Sequence, residues 1–272
     1  MTNNSPESHV FYVTSRGYAA DHWYSWFVKA LNSHPEILAY LSNEGSRPKY
    51  FSERTRAERP NIVQYTHFLA DVGMTYTSIG DCYSYRANKL EQLYNTFTDT
   101  VRVINLVRHP YAWLRFYVRW RTQNMRMPVG QNSPIEHEWQ ISNHKLFKKL
   151  DLKSYTKDDV EIWATYQGML HLNNIVDDYS ANVKHVKLED IVSNQKIFQS
   201  LVNYLTHERI SYSKELLSTI YSWVWTPFRG EGTLIVKPEE ELHQWPEWKV
   251  RALQELHTTE ARKCYEQLGY KY

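Results

Sequence analysis

The segment Val101-Arg-Val-Ile-Asn-Leu-Val107 constrains this chain most strongly. Its apolar residues run together instead of alternating, which suits a strand covered on both faces, as in a parallel sheet flanked by helices. Arg108-His-Pro110 follows at once, and then Trp113, Phe116, Tyr117 and Trp120 fall at i, i+3, i+4 and i+7, the apolar stripe of a helix. Arg115 and Arg119 sit off that stripe. Pro110 fits the first turn of the helix, so Arg108 is left at a strand's C-terminal end, where open α/β sheets bind their ligands.

A second strand-to-helix junction opens the chain. His9-Val-Phe-Tyr-Val-Thr14 reads as a strand and Trp23 to Leu31 as a helix. Between them lies Ser15-Arg16-Gly17-Tyr18-Ala19-Ala20-Asp21-His22. A helix start leaves backbone N–H groups unpaired and carries partial positive charge, so an anion seated there is stabilised twice. Arg16 adds a forked donor, and Gly17, Ala19 and Ala20 keep the loop thin enough for backbone donors to approach a phosphate or sulfate. Asp21 or His22 could cap the helix or face a ligand. The loop lacks both G-x-x-x-x-G-K-[ST] and G-x-G-x-x-G, so an ordinary strand-to-helix turn stays open as a reading.

The remaining pattern continues the alternation of strand and helix. Ile37 to Ser42 reads as a short strand, Asn43 to Asn61 as a polar surface loop or lid, and Thr75 to Gly80 as a strand ending at Asp81. Asn88 to Phe97 is expected to be helical. A long helix is expected over Lys157 to Tyr179, with Ile162, Tyr166, Met169 and Val176 facing inward. Asn182 to Leu188 reads as a strand, and Glu189-Asp190 opens a helix bearing Phe198, Leu201, Val202 and Leu205. Thr226 to Thr233 forms a glycine-bearing basic loop, and a last helix is expected from about Trp245 to Leu268. This order predicts an α/β protein: a three-layer sandwich with a central, mostly parallel sheet, one domain over residues 1–272.

Composition narrows the function. A formal net charge of +2 gives no basic excess of the kind that nucleic-acid surfaces need. Cys82 and Cys264 form no C-x-x-C and no zinc spacing, which fits a reduced, cytoplasmic setting without a disulfide framework. No export signal and no membrane span is read. The 10 Trp and 21 Tyr point to heavy packing with some aromatic-lined clefts.

The order of the N-terminal strand-loop-helix, Val107-Arg108-His-Pro110 in mid-chain and Val186-Lys-Leu-Glu-Asp190 later resembles that of PAPS-dependent sulfotransferases over nearly the whole length. The resemblance implies a P-loop NTPase-like fold and PAPS (3′-phosphoadenosine 5′-phosphosulfate) as co-substrate, with no metal. It implies that Ser15, Arg16, Gly17, Tyr18, Ala19, Ala20, Asp21 and His22 hold the 5′-phosphosulfate. By the same resemblance Trp23 stacks on adenine and Arg108 holds the 3′-phosphate, with Arg115 or Arg119 as a candidate second cation there. Arg229, Gly230, Glu231, Gly232 and Thr233 are similar to the family's segment that closes over that phosphate.

Three departures bear on the chemistry. The family's loop carries Lys or Arg followed by Ser-Gly-Thr-Thr-Trp, whereas here Arg16 stands seven residues before Trp23. Phe116 occupies the place of a phosphate-binding serine, eight residues after Arg108. Gly80-Asp-Cys-Tyr83 resembles a Gly-Asp-x-His pattern with Tyr83 at the histidine. In such enzymes an acceptor hydroxyl or amine attacks sulfur in line as the bridging phosphate oxygen leaves, so catalysis rests on placement, a base and cations. The resemblance implies Arg16 as the cation, with His22 or Asp81 as the base. The acceptor, a small molecule, lipid or saccharide, has no readable code between Asn43 and Asn61 or between Gln123 and Tyr155. A P-loop-type phosphotransferase and a degenerate nucleotide- or glycan-binding module are the competing readings.

Overall fold

A computed structural model of the chain describes residues 8–15, 21–41, 61–83, 87–124, 157–180, 183–223 and 238–271. Its strands are β1 (His9–Ser15), β2 (Ile37–Leu41), β3 (Ser78–Cys82), β4 (Val101–Val107) and β5 (Lys184–Lys187). The helices are α1 (Asp21–Leu31), α2 (Ile62–Val72), α3 (Ala87–Phe97), α4 (Pro110–Asn124), α5 (Lys157–Leu172), α6 (Ile175–Ser180), α7 (Leu188–Ser193), α8 (Gln195–Leu205), α9 (Lys214–Ser222), α10 (Pro238–His243), α11 (Glu247–Leu256) and α12 (Thr259–Gln267).

The strands form one sheet in the order β2-β3-β1-β4-β5, every pairing parallel. All the strands' C-terminal ends therefore share one edge. Side chains alternate across the sheet. Phe11, Val13, Ile104 and Leu106 pack on one face against Trp26, Phe27 and Leu31 of α1 and Phe198, Leu201 and Leu205 of α8. Val10, Tyr12, Ile79 and Val103 pack on the other against Tyr65 and Leu69 of α2 and Leu90 and Leu93 of α3. This is the expected three-layer α/β architecture, and β4 is buried on both faces, as its clustered apolar residues predict. A third cluster, around Val107, joins α4, α5, α11 and α12 through Trp113, Tyr117, Met169, Leu253 and Tyr265.

Two close approaches are written as glycine. A Cβ on Gly80 would meet the Phe11 ring at 2.2 Å and the Phe11 carbonyl oxygen at 2.5 Å, so β3 can lie beside β1 only without a side chain there. A Cβ on Gly168 would meet Leu114 at 2.4 Å, which lets α5 press on α4.

Several local expectations need correction. The third strand starts at Ser78, because Gly73–Thr75 forms a 3-10 turn, and it runs through Asp81 to Cys82. The helix expected over Lys157 to Tyr179 breaks at Asn173-Asn174, and Val176 beyond the break is 37% exposed instead of inward. The helix expected from Trp245 to Leu268 breaks at His257-Thr258. One side chain links the two breaks. Asn173 Nδ2 donates to the Leu256 carbonyl at 2.7 Å, while its Oδ1 accepts from Thr258 N–H at 3.0 Å and lies 2.9 Å from His257 Nδ1. The second helix gives up its continuity where the Asn173 side chain supplies partners for its backbone groups. The segment 43–60 lies outside the described residues.

Candidate functional site

The sheet brings the two strand-to-helix junctions side by side. Ser15 ends β1 in register with Leu106 of β4, so Arg108 emerges two residues beyond that level on the neighbouring strand. Ser15 is 1% exposed and Arg108 7% exposed. Residues 16–20 lie outside the described residues, as do 229–233; the chain re-enters at Asp21, the first residue of α1. His22 and Trp23 stand in that helix's first turn. The loop with Arg16, Gly17, Tyr18, Ala19 and Ala20 is thus bracketed at the edge that Arg108 shares. Arg115 is half-buried on α4.

Arg108 rests on Phe116. Its guanidinium carbon lies 5.5 Å from the centroid of the Phe116 ring, within cation–π range. Phe116, expected in the buried stripe with Trp113 and Tyr117, is only partly buried, and its ring serves the arginine.

The segment around Arg108 is held from behind by residues far away in sequence. The His109 backbone N–H donates to Glu189 Oε1 at 2.8 Å. The Tyr270 hydroxyl lies 2.8 Å from the Val107 carbonyl and 2.7 Å from Glu189 Oε2. A phenol has one proton, so the hydroxyl donates to one of these two oxygens at a time. Burial pushes the Glu189 carboxyl above its usual range, against the lowering effects of the His109 N–H, the Tyr270 hydroxyl and the Arg108 charge. The Tyr270 hydroxyl is thus shared between the Glu189 carboxyl and the Val107 carbonyl, tying α7 and the C-terminal residues to the end of β4. The His109 ring closes the cluster, its Nε2 lying 3.2 Å from the Lys271 carbonyl and its ring edge-on to Tyr270.

Asp81 is fully enclosed inside β3, in register with Tyr12 on one side and Tyr40 on the other. It lies before the strand end, not beyond it. Its charge reaches its neighbours, raising Cys82 and Tyr40 after the larger effect of burial in each case. Tyr83, the next polar residue, is half-buried, and its N–H donates to Val13 O at 2.9 Å.

The sequence reading missed a polar row just below this edge. Thr14, Asn105 and His185 are register partners across β1, β4 and β5, and so share a face. Thr14 and Asn105 are 1% and 2% exposed. The Asn105 amide nitrogen lies 3.2 Å from His185 Nδ1, and burial lowers the His185 pKa to about 4, so the imidazole is a neutral acceptor. The available signal was a polar residue at a buried position near a strand's end. Asn105 and Arg108 also line a cavity of about 20 Å³ with His171 and Asp178, room for a single water.

The fold and this edge together define an open, all-parallel α/β protein in which Thr14, Ser15, Asn105 and Arg108 are buried polar side chains at neighbouring strand ends. No family model matches the chain, and no curated protein matches it. Among solved structures the chain is similar to the mouse sulfotransferase SULT7A1 complexed with PAP, with 11% identity and a TM-score of 0.48 over 96% of this chain and 89% of that one. It is also similar to a sulfotransferase from Alicyclobacillus acidocaldarius, with 12% identity and a TM-score of 0.41 over 90% of this chain and 99% of that one. The sulfotransferase domain from the curacin biosynthetic pathway gives 12% identity and a TM-score of 0.40, over 97% and 98%. Among the described residues, no helix is long and apolar enough to cross a membrane.

Proposed function

We propose that the chain is a single-domain sulfotransferase that moves a sulfuryl group from PAPS to a hydroxyl or amine of its acceptor. The observation that carries this reading is the register of Ser15 with Leu106, which sets the β1–α1 loop and Arg108 on neighbouring strand ends. Adjacent strands lie about 4.8 Å apart, so one nucleotide with phosphate groups at both its 5′ and 3′ ends can meet both elements. The residues fit such a donor: a helix N-terminus for the phosphosulfate, and a buried guanidinium steadied by an aromatic ring for the second phosphate.

In the reaction the acceptor oxygen or nitrogen attacks sulfur while the bond from sulfur to the bridging phosphate oxygen breaks, and PAP departs. Arg16 balances the charge that gathers on the leaving oxygen. His22, in the first turn of α1, takes the acceptor's proton. Asp81, enclosed between Tyr12 and Tyr40, shapes the strand end. Trp23 stacks on adenine, and Arg115 adds a cation beside Arg108. Residues 229–233 close over the donor.

The test incubates the protein with PAPS and a library of phenols, alcohols, amines and saccharides, and reads products by mass spectrometry. A product heavier by one SO₃ group, with PAP released in equal amount, is the expected result. Tight PAP binding with no turnover on any acceptor would instead favour a nucleotide-binding module, and phosphate transfer from ATP would favour a phosphotransferase.

A further inference from the structure

The opposite edge of the sheet carries a second collection of cations that the proposed reaction does not use. A cleft of about 330 Å³ opens there among Thr98, Asp99, Arg102, Lys184 and Tyr204, with Tyr94 at its rim. Arg102 lies near the start of β4 and Lys184 begins β5, paired with Ile104, so both side chains leave the sheet on the same face. Both reach one ring: the Arg102 guanidinium carbon lies 5.1 Å from the Tyr204 centroid and the Lys184 ammonium 4.6 Å from it.

Two cations on one half-buried ring repel each other, and little nearby offsets them. Arg102 has one carboxylate neighbour among the described residues, the largely exposed Asp99 at 3.9 Å, and its Nε is buried without a hydrogen-bond partner there. Lys184 has no carboxylate within 4 Å among the described residues. The positive field extends sideways. The His207 ring stacks on His9 at 4.0 Å, and its pKa is lowered to about 4 by burial and then by the charges of His9, Arg102 and Arg209. A volume of this size lies at the lower end of small-molecule sites.

We infer that this cleft is a second binding site, for a small anion bearing phosphate or sulfate groups, held between Arg102 and Lys184. Arg102 on β4 and Arg108, the residue just past its end, stand six residues apart, about 20 Å at the rise of a strand, so the two sites cannot share one small ligand. The assignment is independent of the sulfotransferase reading, because none of its residues belongs to the donor edge.

The experiment titrates pyrophosphate into the protein by calorimetry, in wild type, Arg108→Ala, Lys184→Gln and Arg102→Gln. Binding should persist in Arg108→Ala and weaken about tenfold or more in each of the other two, the scale for losing one charge-assisted contact. Lys184→Gln changes an exposed position, so it decides the matter even if Arg102→Gln, inside β4, does not fold. Absence of binding in wild type would overturn the site. Loss of binding in Arg108→Ala with none in Lys184→Gln would move the anion to the donor edge and overturn it equally.

Discussion

The Arg108 guanidinium lies over the ring of Phe116, 5.5 Å from its centroid. A ring face at this distance attracts the guanidinium and partly desolvates it, which would strengthen a charge-assisted contact made by the same group.

Arg108→Ala should weaken PAP by roughly ten- to a hundredfold, the loss of a charge-assisted contact of about 1.5–3 kcal/mol. Phe116→Leu, which keeps the bulk and removes the π face, should cost about 1 kcal/mol, roughly fivefold. Calorimetry with PAP and with its analogue lacking the 3′-phosphate checks both. Equal affinity of wild type for the two ligands would remove Arg108 from the phosphate site.

Tyr270→Phe should destabilise the protein by about 1–3 kcal/mol, because it leaves the buried Val107 carbonyl and Glu189 without the bridging hydroxyl while the ring contacts remain. Glu189 holds its proton more firmly folded than unfolded. Its contribution is therefore complete below the ordinary carboxylate range and declines as pH rises through its raised folded pKa. Urea denaturation of wild type and Glu189→Gln across that range should show the decline in wild type alone. Parallel curves would show that the Glu189 carboxyl does not set this pH response.

The helix breaks predict an acid-sensitive joint. His257 is lowered from 6.5 to about 4, by burial first and the Arg262 charge second. The folded protein binds fewer protons at this site than the unfolded chain, so stability is intact above about pH 6.5 and falls as pH drops toward 4. His257→Gln should flatten part of that slope, with His185 supplying another part in the same direction. Asn173→Ala should cost about 1–3 kcal/mol at neutral pH, since the Leu256 carbonyl and Thr258 N–H both lose their partner. Stability curves for His257→Gln that fall as steeply as wild type would show that the acid response arises elsewhere.

Arg16 and Trp23 should separate kinetically. Arg16→Ala should lower kcat by roughly a hundredfold or more if it stabilises leaving-group charge. Trp23→Ala should weaken donor binding by about 1–3 kcal/mol, the scale of base–aromatic stacking, with a smaller change in kcat. Donor-saturation kinetics on both variants provide the measurement. A change confined to the donor KM in Arg16→Ala would end its catalytic assignment.

Periodicity alone determined much of this protein. The clustered apolar residues of β4 specified a strand buried on both faces, Pro110 placed Arg108 at its end, and the spacing of Phe198, Leu201, Val202 and Leu205 marked the buried face of α8. These features were legible because burial leaves its period in neighbouring residues. Tertiary structure decided what those elements meet. It placed β1 between β3 and β4, enclosed Asp81 within its strand, broke two expected helices at Asn173 and His257, and turned Phe116 toward Arg108. It also drew Tyr270 and Glu189 onto Val107 and His109. Each of these outcomes depends on polar or aromatic groups finding partners across long stretches of chain, and a period in sequence records which side of an element is buried but not which atoms lie against it.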